Sequence, residues 1–87
     1  MKREGEGAVA KKLHVTAVIW REGKHYVSRC PEIGVASYGK SPPAAREALR
    51  EAVELWLANA RRLGLLDELR AALETEERYA TPLEVAV

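Results

Sequence analysis

The sequence predicts a single α+β domain, in which a small antiparallel sheet is covered by one long helix. Three observations support this class: alternating apolar residues in the first half of the chain, short links between those segments, and a later apolar stripe at three- and four-residue spacing. A chain of 87 residues has the size of one domain. We expect the order β-β-β-α-α-β, with a flexible arm over residues 1–10 and the domain over residues 11–87.

Three strands are expected before the long helix. Residues 13–20 alternate one strongly apolar set of side chains with a second, partly apolar set. Residues 25–30 follow after a glycine-containing turn, and Pro31, which lacks an N–H donor, should end the pairing. Residues 35–38 form the third strand, closed by Gly39, a glycine suited to a tight turn. Because the links are short, the strands should form an antiparallel meander.

The long helix is expected to begin with Ser41 as N-cap and Pro42 at the first helical position. Gly64 suits its C-terminal end. One face of the helix should cover the sheet. The apolar stripe on that face consists of Ala45, Ala48, Leu49, Ala52, Val53, Trp56 and Ala60.

The C-terminal part is expected to add a short second helix near residues 66–73 and a fourth strand over residues 83–87. In the latter, Leu, Val and Val alternate with Glu and Ala, which favours a strand at a sheet edge. A small domain with an apolar sheet face and an edge strand should self-associate. We therefore expect a homo-oligomer, either a dimer or a tetramer.

The residues favour a binding module over an enzyme. His14 and His25 are too few for a zinc site without distant carboxylates, and Cys30 lies on the opposite face of its strand from His25. Pro42 and Pro43 occupy the helix start, where phosphate binding would need N–H groups. We expect no catalytic residues, no metal and no cofactor.

Charge and hydropathy argue against nucleic acid and membrane as partners. The net charge is +1, so no field of the whole molecule attracts polyanions, and we expect no specific DNA binding by this chain alone. RNA stacking on the sheet aromatics is an alternative, although only Arg29 and Lys40 lie close to them. No apolar stretch approaches the roughly 20 residues of a membrane span, and a cytoplasmic location is expected.

The surfaces expected to remain open are the outer sheet face and the corner after the second strand. Aromatic residues and Arg dominate interface energies. The alternative is that the tyrosines are ordinary sheet packing and that the glutamate only shapes the turn. The residues expected to anchor a partner are Trp20, Tyr26, Arg29, Glu32 and Tyr38.

Residues 26–39 contain a Tyr-Val strand, a Cys-Pro-Glu corner at 30–32, a Gly-Val pair at 34–35, and a final Ser-Tyr-Gly. An amphipathic helix follows over residues 41–56. Together these features resemble the signature of the HicB family of toxin–antitoxin antitoxins, over roughly residues 13–58. Arg46 and Ala48 depart from the family pattern, which more often has an apolar residue and an Asn there.

The resemblance implies a partial ribonuclease-H-like fold without catalytic carboxylates. It also implies a partner, a HicA-like toxin, which is a small mRNA-cleaving enzyme. Full-length relatives append a DNA-binding domain, for which residues 61–87 offer too little, so the resemblance implies the toxin-binding domain only. The alternative is a stand-alone homo-oligomeric regulatory or ligand-sensing protein with no toxin partner.

Overall fold

A computed structural model describes residues 13–74 and 77–87 of the chain. It confirms the α+β class, with three antiparallel strands followed by a long and a short helix; the arm expected over residues 1–10 lies outside the described residues. The sheet order is β1-β2-β3. The elements are β1 (Val18–Glu22), β2 (His25–Cys30), β3 (Val35–Gly39), α1 (Pro42–Arg62) and α2 (Leu66–Leu73).

The first strand is shorter than expected, and the reason lies in its neighbour. β1 begins at Val18, which pairs with Arg29. Continuing that register would place Thr16 opposite Pro31, which has no N–H to donate. The amide of Thr16 donates instead to Oε1 of Glu32, at 3.0 Å. Residues 13–17 have the alternating pattern of a strand, but they are held by the side chain of Glu32 rather than by pairing with β2.

The strand register divides the sheet into two faces, because paired residues share a face and neighbours along a strand do not. α1 packs against the inner face, chiefly on β3, less on β2 and least on β1. The inner face carries Ile19, Arg21, Tyr26, Ser28, Cys30, Val35, Ser37 and Gly39. The outer face carries Val18, Trp20, Glu22, His25, Val27, Arg29, Ala36 and Tyr38.

The long helix forms as its sequence predicts. Oγ of Ser41 accepts a hydrogen bond from the Ala44 amide at 3.2 Å, which satisfies one of the unpaired N–H groups of the first turn. Each residue of the predicted apolar stripe is buried or half-buried. The core between helix and sheet is built on Cys30, Leu49 and Val53, with partly buried apolar residues packed around them.

Gly39 determines how closely α1 approaches the sheet. A Cβ at this position would lie 2.5 Å from the amide nitrogen of Ala45 and 2.7 Å from the carbonyl carbon of Ala44. The φ of Gly39 is not positive, whereas that of Gly34, in the loop before β3, is +75°. Gly39 is thus required by a close backbone approach, and Gly34 by the sign of its dihedral angle. At the same contact, Oγ of the buried Ser28 donates to the Ala45 carbonyl at 2.8 Å.

Apart from Arg78, residues 77–87 are exposed to solvent. Residues 77–87 contain no helix or strand in the structure, and the apolar side chains of Leu83, Val85 and Val87 are exposed. Of the helices in the described part of the chain, none has both the length and the apolar character to cross a membrane.

Candidate functional site: the outer face of the sheet

Three large side chains form a row across the outer face. Trp20 of β1 lies directly opposite Val27 of β2, which lies directly opposite Tyr38 of β3. We call Trp20, Val27 and Tyr38 the aromatic row. Trp20 is 38% exposed and Tyr38 is 68% exposed, because α1 packs on the other face. The row is therefore an apolar surface presented to solvent by all three strands.

The rings at both ends of the row have contacts that orient them. The indole N–H of Trp20 donates to Oε2 of Glu22 at 2.8 Å. The Tyr38 ring meets the His25 ring edge-on, with centroids 6.2 Å apart and planes at 84°. Both contacts are with neighbours on the same face. Rings held in this way lose little conformational freedom when a partner covers them.

A second row on the same face adds a charge. Val18, Arg29 and Ala36 lie opposite one another across the three strands, and all three are exposed. Arg29 thus lies between two apolar side chains, and this second row is two residues from the aromatic row along each strand. An exposed guanidinium beside aromatic rings is a combination enriched at protein interfaces.

The structure brings together three of the five residues predicted as anchors. Trp20, Arg29 and Tyr38 share the outer face. Tyr26 lies on the inner face and is half-buried. Val27, in the middle of the aromatic row, was not among the predicted anchors, because its role depends on strand register rather than on residue type.

Glu32, the fifth predicted anchor, has its carboxylate engaged within the chain. Its side chain is 12% exposed. Oε2 accepts from the Thr16 hydroxyl at 2.6 Å and lies 3.1 Å from Nη1 of Arg78, while Sγ of Cys30 donates to Oε1 at 3.3 Å. Burial alone would raise the pKa of Glu32, but the hydrogen bonds from Thr16 and its other donors lower it to about 2. The carboxylate is charged at neutral pH and joins three separate parts of the chain.

The thiol beside this carboxylate is held in its neutral form. Burial, and then the hydrogen bond to Glu32, raise the pKa of Cys30 above its ordinary value. A thiol with a raised pKa is a poor nucleophile at neutral pH, since the thiolate is the reactive species. In this position Cys30 acts as a hydrogen-bond donor and as part of the core.

Arg78 joins the C-terminal segment to this corner. Besides the ion pair with Glu32, its Nη1 donates to the carbonyl of His14 at 2.7 Å and its Nη2 donates to the carbonyl of Leu73 at 2.8 Å. The guanidinium therefore holds the start of residues 77–87 beside the segment that precedes β1. Nothing in the sequence pattern links these positions, which are separated by up to 64 residues.

A groove lies next to the segment that precedes β1. It runs between residues 13–17, α1 and α2, and its volume is about 1040 Å³. Its lining is mainly apolar but also contains arginines and two acidic residues. Apolar residues that line it include Leu13, Val15, Leu49, Val53 and Leu57, and charged residues include Arg46, Arg61 and Arg70.

Over residues 13–74 and 77–87, no group of three or more His, Cys, Asp and Glu side chains is arranged to bind a metal ion. No protein-family model, curated protein or solved structure matches the chain. The interpretation as a HicB-like domain therefore rests on the motif of residues 26–39 and the helix after it, and it stays a prediction.

Proposed function

We propose that this chain is a HicB-like antitoxin domain, without catalytic activity, that binds a HicA-type mRNA-cleaving toxin and covers its active site. The observation that carries the proposal is the aromatic row. Trp20, Val27 and Tyr38 lie on the strands that contain or adjoin the HicB-like motif, and they form an exposed apolar surface. Contiguous apolar surface of this kind typically marks an interaction site.

The other surfaces considered at the sequence level support the proposal less well. The inner face is occupied by α1, which contacts all three strands. The carboxylate of Glu32 is already engaged by Thr16 and Arg78. Among the sheet surfaces that the structure describes, the outer face combines exposed aromatic rings with an exposed guanidinium, Arg29. Such side chains supply much of the binding energy at protein interfaces.

The proposal includes the fold and the location that the resemblance implies. The β-β-β-α order of β1, β2, β3 and α1 is compatible with a partial ribonuclease-H-like arrangement, in which residues 83–87 would supply the fourth strand. The domain would act in the cytoplasm, where a messenger-RNA-cleaving toxin has its substrate.

Co-expression with a toxin tests this function. The probe is the product of a short basic reading frame with a single His encoded beside this chain, induced alone and then together with it. Wild type should relieve the growth arrest and co-purify as a complex. Trp20→Ala and Arg29→Ala should each weaken binding by about 2 kcal/mol, roughly 30-fold in Kd, with the circular dichroism spectrum unchanged.

A matched control is Leu55→Ala, which removes an exposed apolar side chain from α1, away from the outer face. It should bind the toxin as wild type does. Absence of such a neighbouring toxin, or growth arrest that wild type does not relieve, would contradict the antitoxin function. Unchanged binding by both outer-face variants would show that the aromatic row is not the site.

The second candidate function is a stand-alone homo-oligomeric regulator that senses a small ligand. The groove between residues 13–17 and the two helices favours it, because a mainly apolar lining with a few charged groups is typical of small-molecule sites. A chain that self-associates, and that leaves the growth arrest unrelieved, would favour this function over the first.

A further inference from the structure

We propose that two copies of this chain exchange their C-terminal segments, with residues 83–87 of each copy added as a strand to the free edge of β1 in the other. The proposal concerns the β1 edge and the groove, and it is independent of toxin binding at the outer face. Within residues 13–74 and 77–87, three features carry it: an unpaired segment with strand character, an unpaired strand edge, and an apolar groove at residues 13–17, which lead into that edge.

The donated segment has strand character but no strand partner among the described residues of its own chain. Leu83, Val85 and Val87 alternate with Glu84 and Ala86, and this period of two matches a strand with one buried face. Leu83 is 84% exposed and Val85 is 69% exposed. Burying such side chains is favourable by about 25 cal/mol per Å² of apolar surface. The segment therefore gains stability from any apolar surface that accepts its alternating face.

The segment leaves the domain at a fixed point. Arg78 is bound to the His14 carbonyl and to Glu32, which holds the chain beside the approach to β1. Pro82 follows four residues later and restricts Thr81 to extended conformations. The chain beyond Pro82 is thus directed outward as an arm, the arrangement from which strand exchange between identical chains proceeds.

The edge of β1 offers unpaired backbone groups. The β1–β2 connection is a two-residue turn with Gly23 at φ +62° and Lys24 not in the left-handed region, the pattern of a type II′ turn. Such a turn closes on a hydrogen-bonded pair, here Glu22 and His25. Because pairing alternates along an antiparallel strand, the N–H and C=O groups of Ile19 and Arg21 point away from β2. An edge of this kind accepts a further strand.

The groove supplies the surface that an added strand needs. A strand added along β1 and the residues that precede it would place every second side chain toward α1, and beside residues 13–17 it would meet the groove, whose lining includes Val15, Val53 and Leu57. Leu83, Val85 and Val87 are the apolar set of the segment and match this requirement. Glu84 and Ala86 would then lie on the outer, solvated side.

We expect the groove of each chain to be filled by residues 83–87 of a second copy. Each chain presents both the exposed segment and the open groove, so a two-fold exchange covers both at once in two places. A domain of this size also buries a smaller fraction of its surface than a larger domain does, and dimerisation adds to that burial. The same contacts made within one chain would leave a monomer, which the experiment distinguishes.

The test compares two aspartate variants of the full chain by sedimentation. Wild type should be dimeric at high micromolar concentration. Val85→Asp places a charge in the groove and should weaken dimerisation by about 100-fold or more. Ala86→Asp is the matched control, since the same charge one residue later faces solvent, and it should remain dimeric.

Hydrogen exchange of the β1 amides locates the contact. In wild type the amides of Ile19 and Arg21 should be protected in the dimer and exchange faster on dilution, whereas in Val85→Asp they should exchange fast throughout. A wild-type monomer, or a dimer that Val85→Asp leaves intact, would overturn the proposal. So would a monomer in which these amides are protected, because the segment would then pair with its own β1.

Discussion

The inner face of the sheet lies under α1, whereas the outer face presents its largest rings to solvent. Ser28 and Cys30, on the inner face, are fully buried small side chains. Trp20 and Tyr38, on the outer face, are large and exposed. Close packing explains the inner residues, because the backbone of α1 leaves space for little else. The outer residues are not explained by packing, which is why we assign the binding function to them.

The largest loss of stability is expected at Gly39, where α1 packs closely against the inner face of the sheet. Gly39→Ala should destabilise the domain by about 3 kcal/mol, because the new Cβ would overlap backbone atoms at the start of α1. The matched control is Gly64→Ala, where φ is +78° but no atom lies within 4 Å of the new Cβ. There the loss should be about 1 kcal/mol. Urea unfolding measures both; equal losses would show that α1 can move away from the sheet.

A smaller loss of stability is expected at Glu32, which links the segment before β1 to Arg78. Glu32→Gln should destabilise the protein by about 2 kcal/mol at pH 7, because it removes the charge that Thr16 and Arg78 stabilise. Glu47→Gln, at an exposed ion pair of α1, is the control and should leave the stability almost unchanged, because solvent screens the pair.

The pH dependence of Glu32→Gln has a definite sign. The pKa of Glu32 is about 2 in the folded chain, below its ordinary value of 4.5. Its charge therefore stabilises the fold above about pH 5, and this stabilisation is lost as the pH falls toward 2. The stability difference between wild type and Glu32→Gln should shrink over that range. A difference that stays constant would contradict the charge as its cause.

The smallest loss of stability is expected for substitutions on the outer face of the sheet. Tyr38→Ser should cost less than about 1 kcal/mol of stability, since it removes an exposed ring and its edge contact with His25. Val35→Ser, on the same strand but packed against the core, should cost about 2 kcal/mol. If thermal unfolding shows Tyr38→Ser to be the more damaging variant, the outer face is structural and our assignment of the site fails.

Much of the fold can be predicted from periodicity in the sequence, because burying one face of α1 against the sheet requires apolar residues at regular spacing. The stripe that begins at Ala45 identifies the face of α1, and Ser41 identifies its start. The length of β1 does not follow, since alternation continues through residues 13–17 while pairing stops opposite Pro31. Pro31 has no N–H to donate to the Thr16 carbonyl, and this is the local indication in the sequence that strand pairing ends before Thr16.

The site is less predictable because it depends on register. Whether Trp20 and Tyr26 share a face is decided by the length of the turn between their strands, and one residue more or less reverses the answer. The observed turn places Tyr26 opposite Arg21, on the inner face. The engagement of Glu32 depends on Arg78, which is distant in sequence and joins it only in the folded chain. Residue type alone was enough to predict Trp20 and Tyr38 as anchors, and the structure adds that both side chains are exposed.

The bonds of Arg78 also bear on the order in which the domain assembles. The contact with His14 closes a loop of 64 residues if it forms first. Once the meander and α1 are in place, the stretch of chain that remains to be closed, from the end of α1 to Arg78, is about a quarter as long. Because loop-closure entropy grows with the logarithm of length, this sequence of events lowers the entropic cost by about 1 kcal/mol. Entropy therefore favours a folding route that begins with sequence-local contacts and docks the C-terminal segment last.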